Sequence, residues 1–345
     1  MTKQVILTLS IGAVGGILAY LAGFPAPFLT GSAIAVTIGC LSGLTLNIPN
    51  LIRNACFIGI GLSMGSGVTP NVLETISLWP FAFVILVVSL LGTFFGCRIL
   101  LRRFWHFDAK SATLASSPGH LSFILGLSSQ SNVDVAAVSI VQSIRVMVLT
   151  VAVPFVVSFM GLAGEPSSTA RLFMSYWELG LLIPAAGLVG WLFIKLNFPA
   201  AFLLGGMLVS TLTHVTGTVT GQIPDWLSII AFAIMGSLIG TRFADVSINQ
   251  LKRSAGAGLV SVSWAAIIAI SAGFLASWLL GLPLPQLLIA FAPGGLEAMA
   301  AMAVIMDVDT TFVAAQHVFR LFFLSFFAPM VLAFDDKMER KKAAS

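Results

Sequence analysis

Apolar residues run along this chain in long stretches broken by Gly, Pro and charge, the pattern of membrane helices joined by short turns. In the first half the stretches cover about 5–23, 28–45, 51–67, 75–101, 111–130 and 133–160. In the second half they cover about 175–194, 199–215, 226–241, 254–281, 285–306 and 309–334. The second set copies the first. Phe24-Pro25-Ala26 matches Phe198-Pro199-Ala200, Ile48-Pro49-Asn50 matches Ile223-Pro224-Asp225, and Gly61 and Gly65 match Gly236 and Gly240. The offset is 174 and then 175, so a single residue of slip separates the halves. The chain therefore divides into a membrane repeat over 1–165, a second over 172–335 and a basic tail over 336–345.

Composition strengthens the membrane reading. With 58% hydrophobic and 9% charged residues and a mean hydropathy of +1.03, the chain has too little polar surface to cover a soluble globule. The N-terminal run is a retained helix and not a cleaved leader, because GAVGGILAYLAGFPAPFLTG resembles the internal AGLVGWLFIKLNFPAAFLLG that begins at Ala186. Net charge is +4, and the basic residues sit in short loops and the C-terminal tail, which suits the positive-inside rule and excludes a nucleic-acid groove. Cys40, Cys56 and Cys97 are isolated among apolar neighbours and read as packing residues, and the four scattered histidines make no metal spacing.

Loop charge then orients the halves. After the fourth stretch the first half carries Arg98, Arg102, Arg103 and Lys110, whereas its counterpart over 281–285 is uncharged. One loop earlier the bias reverses, with no base over 67–70 and Arg242, Lys252 and Arg253 in the counterpart. Equivalent loops facing opposite sides define an inverted-topology repeat. Inversion requires an odd number of crossings per half, and the fifth stretch, broken by Pro-Gly at its middle, fits a re-entrant hairpin. The expected fold is an all-α polytopic membrane protein with two inverted repeats, about ten transmembrane helices and two re-entrant Pro-Gly hairpins. Both termini then lie in the cytoplasm.

The candidate chemistry lies in two related stretches. Residues 290–320 read AFAPGGLEAMAAMAVIMDVDTTFVAAQHVFR, and residues 115–145 read ASSPGHLSFILGLSSQSNVDVAAVSIVQSIR. Pro118, Gly119, Asp134 and Arg145 match Pro293, Gly294, Asp309 and Arg320 without a gap. At each hairpin tip a short helix starts, so unpaired backbone N–H groups and the positive end of a dipole face the bilayer interior, where they attract anions. Ser116, Ser117, Gly119 and His120 form one tip, and Gly294 and Gly295 the other, followed by Glu297. Arg145 and Arg320 lie roughly 16 Å along their helices from the aspartates. Each needs a carboxylate such as Glu297, backbone carbonyls or an anionic ligand. Asp134 and Asp309 stand where helix N-caps belong, a role compatible with ion coordination. Gln316 shares the face of Asp309 and Arg320, and His317, the counterpart of Gln142, is either a satisfied hydrogen-bonder or part of a proton path.

The duplicated Pro-Gly hairpin, the Asp-to-Arg spacing, APGGLEAMAAMA and the following VAAQHVFRLFF resemble the membrane AbrB duplication family. These are bacterial proteins labelled AbrB-type regulators and formerly ammonia monooxygenases. The resemblance covers nearly the whole chain and implies a place in the bacterial inner membrane and a link to control of gene expression. The monooxygenase label finds no copper or iron ligand cluster in this sequence, so an enzyme is not expected.

These readings converge on an ion-coupled secondary transporter of a small, anionic organic solute. The substrate side is assigned to Ser116, Ser117, Gly119, His120, Arg145, Gly294, Gly295, Gln316 and Arg320. Asp134, Glu297 and Asp309 are the ion-coupling candidates, with H+ or Na+ as coupling ion and no cofactor. The expected partners are the lipid bilayer and the solute, with no nucleic acid; assembly into a homo-oligomer is compatible with these residues. The alternative is a membrane-embedded ligand sensor that regulates gene expression through a partner.

Overall fold

A computed structural model describes residues 3–67, 76–118, 133–161 and 172–343, with positions 124, 127 and 128 between them. The first half comprises α1 (Lys3–Leu21), α2 (Pro27–Leu41), α3 (Asn50–Ser66), α4 (Trp79–Phe104), α5 (Ala109–Ser116) and α6 (Val135–Phe159). The second comprises α7 (Tyr176–Lys195), α8 (Ala201–Val215), α9 (Asp225–Gly240), α10 (Ile248–Leu280), α11 (Leu284–Phe291), α12 (Leu296–Ile305) and α13 (Thr310–Ala343). Among the described residues the only extended pairing is one bridge between Phe173 and Gln222. Seven helices, α1, α4, α6, α7, α9 with its following turn, α10 and α13, are long and apolar enough to cross a membrane. Helices α2 and α8 have 15 residues each and α3 has 17.

Local chemistry explains several boundaries. Ala26 and Ala200, at matched positions, precede α2 and α8 with left-handed φ values of 50° and 46°. That conformation costs an alanine roughly 1–2 kcal/mol, so the same strained turn at both places is set by packing. Helix α10 begins six residues before the apolar run suggests, because Ser247 and Gln250 close a capping box, Ser247 Oγ accepting from the Gln250 N–H at 3.2 Å. At its other end Gly281 supplies a left-handed C-cap at φ 67°. Helix α13 has 34 residues and absorbs much of the segment read as a tail.

The core is built by exchange between halves. Helix α2 packs on α9, and α8 packs on α3. Glycine makes both contacts possible. A Cβ at Gly61 would stand 2.1 Å from the Leu203 carbonyl oxygen, and one at the matched Gly236 would stand 2.2 Å from the Leu29 carbonyl oxygen. Leu29 and Leu203 are themselves equivalents, so one contact is made twice. Around it, α11 and α12 are buried along their lengths. The far end of α13 is tied to the end of α4 and to α5. There the buried Asp335 pairs with Arg98 and accepts from Thr113 Oγ1 at 2.8 Å, while Asp336 meets Lys110 at 2.6 Å.

Candidate functional site

Each half interrupts a helix in front of a proline. Helix α5 stops at Ser116, with Ser117 extended ahead of Pro118, and α11 stops at Phe291, with Ala292 extended ahead of Pro293. Proline disfavours helix in the residue before it and lacks an N–H, so the break is written into both copies. In the second half the chain resumes as α12 after Gly295. Gly119 and His120 lie outside the described residues.

A broken helix leaves its last carbonyls without partners, which is costly in an apolar interior. The two arginines supply them. Arg320, on α13, donates Nη1 to the Ala292 carbonyl at 2.6 Å and Nη2 to the Gly294 carbonyl at 2.8 Å. Arg145, on α6, donates Nη2 to the Ser117 carbonyl at 3.2 Å. Both side chains are buried, and a cation beside the C-terminal end of a helix also complements its dipole. Of the partners open to the arginines at the sequence level, backbone carbonyls are the ones observed.

One turn earlier, Gln142 and His317 perform the same task with different chemistry. Gln142 Nε2 donates to the Leu114 and Ser117 carbonyls at 2.8 Å each, while its Oε1 accepts from Arg145. His317 Nε2 faces the Ile289 carbonyl at 3.1 Å and Nδ1 faces Arg320. A carbonyl only accepts and a guanidinium only donates, so His317 is fixed as the neutral Nε2–H tautomer. Its two nitrogens are both engaged, so it is a satisfied hydrogen-bonder at the break. His317→Gln is therefore expected to leave thermal stability nearly unchanged, whereas His317→Leu, which strands a buried carbonyl, lowers it by about 1–3 kcal/mol. A thermal melt of both variants checks this.

Several buried polar groups at the breaks remain without a protein partner among the described residues. They are Nε of Arg145 and Arg320, Oγ of Ser116, Ser117 and Ser143, and both amide atoms of Gln316. The two guanidinium groups lie within electrostatic reach of each other, and Arg145 within reach of a third, Arg242. Sequence reasoning placed Arg242 in a basic loop. It occupies a 3-10 turn directly after α9, and its Nη2 comes 4.0 Å from where a Gly295 Cβ would stand, with Glu297 Oε2 at 3.5 Å from the same point. Arg242 and the buried Glu297 thus converge on the N-terminus of α12. The overlooked signal was the proximity of this base to a glycine-rich helix end that is far away in sequence.

Asp134 and Asp309 are N-caps. Asp134 Oδ1 accepts from the Ala137 N–H at 2.9 Å, and Asp309 Oδ1 accepts from the N–H groups of Thr311 and Phe312 at 3.0 Å. Asp309 also lines a cavity of about 620 Å³ with Asp225, Asp307, Ser66, Gln286 and Thr310, and among the described residues no basic side chain shares that lining. Partial burial raises the Asp309 carboxyl above its ordinary range against the pull of its two N–H donors. Among the described residues no three His, Cys, Asp or Glu side chains gather as a metal site.

The fold and this site define a class: an all-helical protein of membrane-type composition whose two halves each carry an arginine-capped, proline-broken helix. Residues 28–334 match the family described as transition state regulatory protein AbrB, and the chain belongs to that family. It is 26% identical over 331 residues, covering 93% of both chains, to a protein of Escherichia coli (strain K12) provisionally named as the regulator AbrB. It is 29% identical over 344 residues to the uncharacterized protein YhjN of Bacillus subtilis (strain 168), covering 91% of this chain and 88% of that one.

Proposed function

We propose that this protein is a cation-coupled secondary transporter of small organic anions in the bacterial inner membrane. The carrying observation is the pair of arginine-capped breaks, made twice with equivalent residues and held within electrostatic reach of one another. Broken helices of this kind are tolerated at membrane depth only when buried in protein or lining a watery path. Adding α2, α3 and α8 to the seven long helices gives ten crossings, with each broken segment as a hairpin. The hairpins then enter from opposite faces, and both termini are cytoplasmic. Alternating access proceeds by moving the hairpin-bearing core against the exchanged α2–α9 and α3–α8 layer.

The solute class follows from charge. Arg320 lies within electrostatic reach of Arg145, and Arg145 within reach of Arg242, with Glu297 beside Arg242, and an anion relieves this concentration of positive charge in a poorly hydrated interior. Asp309, in the acid-lined cavity with Asp225 and Asp307, is the coupling group for H+ or Na+. No catalytic step, resident cofactor or nucleic acid enters this mechanism.

Flux into proteoliposomes tests it. Small carboxylates are expected to accumulate under an imposed pH or Na+ gradient, and Arg242→Gln, which removes no backbone cap, is expected to lower uptake at least tenfold while the protein stays folded. Well-folded protein that moves no carboxylate or inorganic anion under either gradient sinks the transporter reading. The provisional name of the Escherichia coli relative favours a second reading, a ligand sensor that acts through a partner; binding without flux is its signature. Topology has its own test. Single cysteines at 106 and 283 are expected to label from the cytoplasmic and outer sides respectively, and same-side labelling would rule out an inverted repeat.

A further inference from the structure

We infer that the basic end of α4 is a binding site for the headgroup of an anionic phospholipid. Phe95, Arg98, Ile99, Arg102, Arg103, His106 and Phe107 line an open groove of about 540 Å³. Of its arginines, only Arg98 is committed to an acidic partner among the described residues. Asp335 pairs with Arg98, Asp336 with Lys110, and Asp108 caps α5 by accepting from the N–H groups of Lys110 and Ser111. Among the described residues, Arg102 and Arg103 have no acidic partner, and both are exposed.

The position of this pair favours a lipid over a free anion. Phe81, Val84, Val88, Phe95 and Ile99 are exposed apolar residues of the same helix, spaced so that they fall on one face. That stripe runs roughly 27 Å along α4 from Phe81 to Ile99, close to the hydrocarbon thickness of about 30 Å. Arg102 and Arg103 continue the same face beyond it, and His106 follows in the turn after the helix. An acyl chain laid on the stripe would bring its phosphate to the two guanidinium groups, with Phe95 and Ile99 under the glycerol backbone. Arginine suits this task because its planar fork takes two phosphate oxygens at once, and basic clusters just beyond a membrane helix are where anionic headgroups gather.

Native mass spectrometry of the full-length protein, given equal amounts of phosphatidylglycerol and phosphatidylethanolamine, provides the test. Retained phosphatidylglycerol is expected to exceed phosphatidylethanolamine at least fivefold, and R102Q/R103Q is expected to remove that preference. R102K/R103K keeps the charge and should retain part of the preference, while Arg253→Gln, at a different basic turn, should keep all of it. Excess inorganic phosphate should not displace the lipid, since it cannot occupy the apolar stripe. Equal retention of the two lipids, an undiminished preference in the double glutamine variant, or displacement by phosphate would each overturn the assignment. Should the double variant not fold, R102Q and R103Q taken singly are each expected to lose at least half of the preference, and no loss in either counts against the site.

Discussion

Arg320→Ala is expected to cost the protein most of its folded yield. Two carbonyls at the end of α11 and the loop after it take their hydrogen bonds from this one side chain, at 2.6 and 2.8 Å, and the residue is fully buried. Each stranded buried acceptor costs about 1–3 kcal/mol, and the emptied volume adds to this, against a total stability of order 5–15 kcal/mol. Lysine should rescue poorly, because a single ammonium cannot reproduce the fork that spans Ala292 and Gly294. Arg145→Ala should be milder. The Ser117 carbonyl keeps the bond from Gln142 when Arg145 is removed, so no backbone acceptor is left bare and only Gln142 Oε1 loses its donor. Fluorescence-detected gel filtration and a thermal melt separate the two variants. Equal losses would mean that the arginines do not act chiefly as caps. A folded Arg145→Ala protein that no longer responds to any anion would isolate the binding role from the capping one.

The second large effect is expected at Gly61 and Gly236. A methyl group at either position would collide with a backbone oxygen, at 2.1 Å and 2.2 Å respectively, and backbone cannot rotate away as a side chain can. The helices would have to separate by more than 1 Å, with a cost of about 1–3 kcal/mol or more. Because the two contacts are equivalents, Gly61→Ala and Gly236→Ala should lower the melting temperature by similar amounts, and the double variant should not assemble. Gly180→Ala is the control. Nothing lies within 4 Å of its Cβ position, so the exchange should be neutral or slightly stabilising.

What the sequence disclosed and what it hid have physical causes. The proline breaks and the matched aspartates and arginines are side-chain patterns: helices stop ahead of Pro118 and Pro293, and Asp134 and Asp309 cap the helices that carry Arg145 and Arg320. The partners of the arginines were not legible, since carbonyls at a helix end carry no residue label. The match of Gln142 with His317 was legible, but the task they share was hidden for a related reason. An amide and an imidazole look unlike each other in sequence, yet each donates to a carbonyl at the end of the broken helix and accepts from the arginine one turn on. Arg242 lies in the connection after α9, as its charge suggested, but its approach to the tip of α12 was not legible, because the two are far apart in the chain. The acidic cavity joins Asp225 to Asp307 and Asp309 across most of the second half, a distance over which sequence spacing says nothing.

The exchanged pairing of α2 with α9 and α3 with α8 also governs how the protein must be made. The glycine face of α3 has its partner in α8, so it stays uncovered until the start of the second half, through α8, has left the ribosome. At roughly 5–20 residues per second, that exposure lasts on the order of ten seconds. During this interval a second nascent copy presents no competing α8, but a completed copy with a loosened α8 does. Overproduction in one membrane should therefore yield domain-swapped dimers, in which the first half of one chain closes on the second half of another.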